Sequence, residues 1–233
     1  MALERVTALA FGGRLRDAER ALPDAAGPPD EIAWIRAYLD AARGRFERAE
    51  SRCRTLLEES SSRAARVRAA ITLGSVMRQT ARHPEAEGVD VLALRHAPSR
   101  SLRAHALIGL AADAVGMLDA RTCGRRLARA ARVVPRGDWR CRVRLDWVRT
   151  EQALLVGNAP SAIDSARAAL ARARRAGAMR HEAKSLLFLG AALRQHDEAE
   201  SSRCLEQARR IARRIGAKPI ADVARNILSS TRG

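Results

Sequence analysis

The stretch from Val67 to Pro98 leaves this chain few ways to fold. Its small residues, Ala70 and Gly74 in one half and Ala86 and Ala93 in the other, fall at helical spacing, with Leu73 and Met77 supplying apolar bulk between them. Pro98 ends the second half, because proline cannot donate the next helical hydrogen bond. Two helices must therefore fold back on each other closely. Apolar residues make up 47% of the chain but aromatics only 3%, and most of the apolar share is Ala, Leu and Val. That balance favours close helix packing over a sheet core, so the expectation is all-α with almost no β-structure.

The same punctuation recurs along the 233 residues. Gly13, Leu15 and Ala18 form a G-x-[L/F]-x-x-A turn that Gly44, Phe46 and Ala49 repeat: glycine permits the turn and alanine the approach of the second helix. Between them lies a Pro/Gly loop at residues 23–30, whose Asp30 is expected to cap a helix starting at Glu31. In that helix Trp34, Ala37, Tyr38 and Ala41 share one core-facing stripe. A hydroxyl of Ser60, Ser61 or Ser62 is expected to cap the next helix. Hairpins are expected at 2–22, 31–58, 62–97, 101–134, 138–176 and 178–215, with Gly216 closing the last one and Pro219 opening a final helix over 219–229.

Leu73-Gly74, Ala86, Ala93 and Pro98 resemble the tetratricopeptide repeat, with Ala70, Met77 and Asp90 standing where that family has aromatics. Ile108-Gly109 and Leu189-Gly190 repeat the Leu-Gly pair, while Thr150 takes the glycine slot in the repeat between them. The turn markers Gly13, Gly44, Ala81, Gly116, Gly157 and Asp197 recur every 31 to 41 residues. Lengthened repeats of this kind are similar to those in the sensor regions of large bacterial transcriptional activators. The resemblance implies one domain, a right-handed superhelix of antiparallel helix pairs, with the last helix as its lid.

Net charge is +17 and regionally uneven: residues 1–60 hold 10 basic and 11 acidic side chains, residues 121–180 hold 15 and 4. The resemblance places the first helix of each pair on a concave surface. Two positions before the family's Trp slot stand Arg68, Arg103, Arg144 and Lys184; four positions beyond its Gly slot stand Arg78, Asp113, Leu154 and Arg194, basic only at the two ends. With Trp147, the six cations are expected to form a basic groove that binds an acidic protein or peptide, guanidinium forks meeting carboxylates and one aromatic face meeting an apolar anchor. The rival explanation is that a chain so rich in arginine produces such a row by chance.

Outer helices are expected to carry a second cationic set: Arg125, Arg126, Arg129 and Arg132, then Arg172, Arg174, Arg175 and Arg180, then Arg209, Arg210, Arg213 and Arg214. Their spacing puts many on shared exposed stripes, which implies either a solvated face or backbone-level contact with nucleic acid. No phosphate loop, nucleophile elbow or H-E-x-x-H motif occurs, and the five histidines and four cysteines are scattered without metal-ligand spacing. The expectation is therefore a non-enzyme without cofactor or metal. No run of residues suits a signal peptide or membrane span, which points to a soluble, cytoplasmic protein. A homodimer through an apolar edge is a third reading.

Overall fold

The computed structural model describes residues 1–230, which form thirteen α-helices and no strand. They are α1 (Leu3–Phe11), α2 (Leu15–Ala21), α3 (Pro29–Arg43), α4 (Phe46–Glu59), α5 (Arg63–Gln79), α6 (His83–His96), α7 (Arg100–Gly116), α8 (Ala120–Val133), α9 (Trp139–Leu155), α10 (Ala159–Arg175), α11 (Met179–Leu193), α12 (Glu198–Ile215) and α13 (Lys218–Ser229). None is long and apolar enough to cross a membrane.

Helices pack in consecutive pairs, and the odd-numbered ones also pack on one another: α3 on α5, α5 on α7, α7 on α9, α9 on α11 and α11 on α13. The even-numbered helices from α4 to α12 lie outside this inner row. The row then closes, because α13 packs on both α11 and α3. The lid expected at the end of the chain is thus also the joint between its two halves.

Glycine makes the joint tight. Gly44 ends α3 in the left-handed region at φ 82°, and a Cβ there would sit 3.0 Å from the Pro219 ring of α13. Nearby, the Met179 N–H donates to the Gly12 carbonyl at 3.0 Å, tying α11 to the α1–α2 turn. At Gly13, with φ 85°, a Cβ would stand 2.6 Å from the backbone nitrogen of Arg180. Gly13→Ala should therefore lower stability by about 1–3 kcal/mol from the left-handed backbone alone, and more through the seam, as measured by urea unfolding. A shared core runs across the joint and includes Val6, Leu15 and Ile35 with Leu186, Leu205 and Ile220.

Local signals behave largely as their chemistry requires. Ser62 caps α5 by accepting from the Ala65 N–H, and Gly216 ends α12 at φ 76°. Asp30 departs from expectation. Helix α3 starts at Pro29 without a side-chain cap, since Pro29 has no N–H to satisfy and its ring suits the first turn. The Asp30 carboxylate instead accepts from Ser60 Oγ at 2.5 Å, fastening α3 to the end of α4.

The Leu-Gly slots have a specific reason here. Gly74 of α5 and Gly109 of α7 face the carboxylate of Asp90, buried in α6, and a Cβ on Gly109 would lie 2.1 Å from its Oδ2. Arg78 holds Asp90 and also Asp113, the latter at 2.7 Å. Arg78 and Asp113 occupy the same slot in successive repeats, so this ion triad stitches one hairpin to the next. Thr150, in the corresponding glycine slot of α9, is fully buried and donates to the Asp146 carbonyl at 2.9 Å.

A basic, aromatic-walled hollow as the candidate functional site

The inner row surrounds a hollow of about 1180 Å³. Helix α9 contributes Arg140, Arg144, Trp147 and Glu151, and α11 contributes Arg180, His181 and Lys184. Arg140 with Arg144, and Arg180 with Lys184, are pairs four residues apart, so one face of each helix presents two cations to the same space. Across from them stand Phe11 of α1 and Trp34 and Tyr38 of α3. The two sets come from opposite ends of the chain and share one space only because the row closes.

Contacts across the joint are cation on ring. Arg140 Cζ lies 3.4 Å from the Phe11 ring centroid, and both Arg140 and Arg180 lie 5.9 Å from that of Tyr38. Phe11 and Tyr38 meet edge to face at 5.2 Å. On the far wall His181 stacks on Trp147 at 5.4 Å and meets Trp139 edge-on at 4.9 Å, while Lys184 Nζ sits 4.7 Å from the Trp147 ring. Trp34 and Trp147 each spend their indole N–H on a neighbour, Thr72 at 3.1 Å and Ser185 at 2.9 Å, while Arg68 lies over the Trp34 ring as His181 and Lys184 do at Trp147.

The positive charge here is poorly answered. Among the described residues no carboxylate pairs with Arg140, Arg144, Arg180 or Lys184. Arg144 donates instead to His105 Nδ1 at 2.8 Å, which places the imidazole proton on Nε2. Several buried polar atoms without a partner among the described residues belong to the lining of the hollow: Tyr38 Oη, Arg140 Nε, Arg180 Nε and His181 Nδ1, as well as Arg78 Nη2 and His83 Nδ1. Burial lowers the pKa of Arg144 to about 10 and of Lys184 to about 8, with neighbouring arginines adding to the effect and Glu151 opposing it at Lys184. Burial, and then the surrounding cations, holds His105 and His181 well below the usual imidazole range, so both are neutral at pH 7.

Of the residues expected to line a groove, Arg68, Arg78, Arg144, Trp147 and Lys184 do line the hollow, whereas Arg103 and Arg194 are exposed and lie outside its wall. In α7 it is Ser101, Leu102 and His105 that face inward, so the slot that points into the hollow in α9 and α11 points to solvent in α7. Two lining cations are already engaged: Arg68 pairs with Glu31 over the Trp34 ring, and Arg78 belongs to the ion triad. Sequence reasoning passed over Arg140 and set Arg180 among the outer cations, whereas Arg180 lies in α11 and lines the hollow; the spacing of each from the cation one turn later is legible.

The outer arginines divide in the same way. Arg126 is held by Glu87 and by the Leu110 carbonyl, and Arg172 by Asp146 at 2.8 Å. Arg125 donates to Thr122 and Arg214 to the Met179 sulfur. Arg129, Arg132, Arg175, Arg210 and Arg213 are exposed.

Folding also brings together His105, Asp138 and Cys141, whose donor atoms lie within 4.8 Å of one another. These donors are committed elsewhere. Asp138 accepts from the Cys141 N–H at 2.9 Å and from Ser101 Oγ, and burial with the Asp138 charge pushes the Cys141 thiol up to about 12. The Arg144 guanidinium on His105 opposes any further cation. The chain matches no family model and no curated protein sequence.

Proposed function

We propose that this protein is a non-catalytic binding module that captures an acidic ligand in its hollow, a carboxylate-bearing protein or peptide segment being one form of it. In this reading the hairpins are tetratricopeptide-like repeats stacked in a right-handed sense. The observation that carries it is the wall of Arg140, Arg144, Arg180 and Lys184, four half-buried cations beside aromatic rings and with no paired carboxylate among the described residues. Keeping such charges dry and unpaired opposes folding, so their presence is best explained by a partner that supplies the missing negative charge. Of the outer arginines, Arg126 and Arg172 are spent on internal contacts, and the exposed ones have, among the described residues, no aromatic wall beside them comparable to that of the hollow.

The three tryptophans report on the site. Trp34 and Trp147 line it, and Trp139 packs on His181. Titration with acidic peptides and small organic acids should change tryptophan emission saturably and raise the melting temperature. Arg144→Gln should weaken the response about tenfold, the loss expected for one charge-assisted hydrogen bond. If no acid, large or small, alters emission or melting, the hollow is not a ligand site.

A further inference from the structure

Resting on that reading, we propose that the ligand is a small organic acid with a single oxyanion, a carboxylate, phosphate or sulfonate, on an apolar body of aromatic size. The oxyanion sits among Arg140, Arg180, Tyr38 and His181, and the body lies against Trp34 and Trp147.

Three observations select this class over an extended acidic chain. The uncompensated charge is local: Arg68 is answered by Glu31, and Arg78 by Asp90 and Asp113. A polyacidic segment threaded through the hollow would find few free cations beyond the seam and would meet Glu31 and Glu151, which also face inward. Second, orphaned polar atoms belong to residues that line this hollow, and Arg140 and Arg180 both approach the Tyr38 ring, each 5.9 Å from its centroid. Tyr38 Oη, Arg140 Nε and Arg180 Nε can each donate to an oxyanion, and His181, only 2% exposed, has an unpartnered Nδ1 in the same wall. Third, the closed inner row bounds a hollow of about 1180 Å³, a little above the roughly 300–1,000 Å³ of small-ligand clefts and so roomy enough for one such acid.

The chemistry of the wall fits an amphipathic acid better than a bare inorganic anion. Guanidiniums flanked by Phe11 and Tyr38 sit in surroundings of low polarity, where a charged hydrogen bond gains strength and a hydrated ion loses its water. Trp34 and Trp147, in the lining of the hollow, then border the part of the ligand that carries no charge.

The test uses the full chain and 1-anilinonaphthalene-8-sulfonate, a fluorescent aromatic body bearing one sulfonate. One saturable site per chain is expected, with the dye displaced by 2-naphthoate and at least tenfold more weakly by the neutral 2-naphthylmethanol. Arg180→Gln should raise the dye Kd about tenfold or more, and Tyr38→Phe about threefold, with near-native melting curves showing that both variants fold. Comparison of the acid with the alcohol on the unaltered chain keeps the test decisive should a variant misfold. Equal displacement by the alcohol overturns the oxyanion assignment. Displacement by pentaglutamate but not by 2-naphthoate overturns the small-acid proposal while leaving the acidic-ligand reading standing. No saturable dye site, with tryptophan emission still responding to acidic peptides, has the same consequence, and silence in both assays removes the two together.

Discussion

Arg78→Met is expected to lower the unfolding free energy by about 3–5 kcal/mol, a loss large enough to appear as a collapse of the denaturant midpoint. The guanidinium lies between two fully buried carboxylates, Asp90 and Asp113, and methionine fills its volume without its charge. The effect depends on pH in a definite direction. Burial raises the pKa of both acids, that of Asp113 to about 7, despite the opposing pull of Arg78. With folded pKa values above the unfolded value near 4, the folded state binds more protons between about pH 4 and 7, so this pair makes the wild-type protein lose stability as pH rises through that window. Without Arg78 both acids shift higher still, so the deficit should be smallest near pH 4 and largest above neutrality. Asp113→Asn should flatten the wild-type slope. A pH-independent Arg78→Met deficit below 1 kcal/mol would show that the triad is not a structural element.

Lys184→Met is expected to have the opposite effect on stability and a negative one on binding. The ammonium is half-buried, its pKa drawn down to about 8 by burial, and its nearest compensation is Glu151 without a direct ion pair. Replacing it by a side chain that packs equally well on Trp147 should stabilise the empty protein by about 1–2 kcal/mol at pH 7, while weakening an acidic ligand roughly tenfold or more. The sign of the pH dependence follows from the lowered pKa. Below about pH 8 Lys184 is charged in both states and the full penalty applies. Between there and the unfolded lysine value near 10.4 the unfolded chain binds the extra proton, so wild-type stability rises with pH. The advantage of the methionine variant should therefore fade over that interval. A variant that is less stable at pH 7 and binds normally would place Lys184 among purely structural residues.

Much of the helical plan was legible because its punctuation is chemical. Gly44, Ser62, Gly216 and Pro219 act where their backbone or hydroxyl chemistry says they should. Asp30 was misjudged because Pro29 starts the helix earlier and a distant hydroxyl, Ser60, claims the carboxylate. The inner wall was legible only in part. A repeat slot indicates which residues could face inward if every helix kept the same phase, which holds for Arg144 and Lys184 and fails for Arg103. Arg78 shows a second limit: a position can face the hollow and still be consumed by carboxylates contributed from α6 and α7. Closure was hidden altogether, since it depends on curvature accumulated over six helix pairs and on the fit of Gly13 and Gly44 against residues of α11 and α13.

That fit has a mechanical corollary. Tyr38 and Arg180 belong to distant parts of the sequence and meet only at the seam, which one backbone hydrogen bond, a few glycine contacts and two stacked cations help to hold. Any molecule gripping both sides would act as a reversible cross-link between the first and last thirds of the polypeptide. Its binding strength and the fastening of the ring would then be two readings of a single quantity.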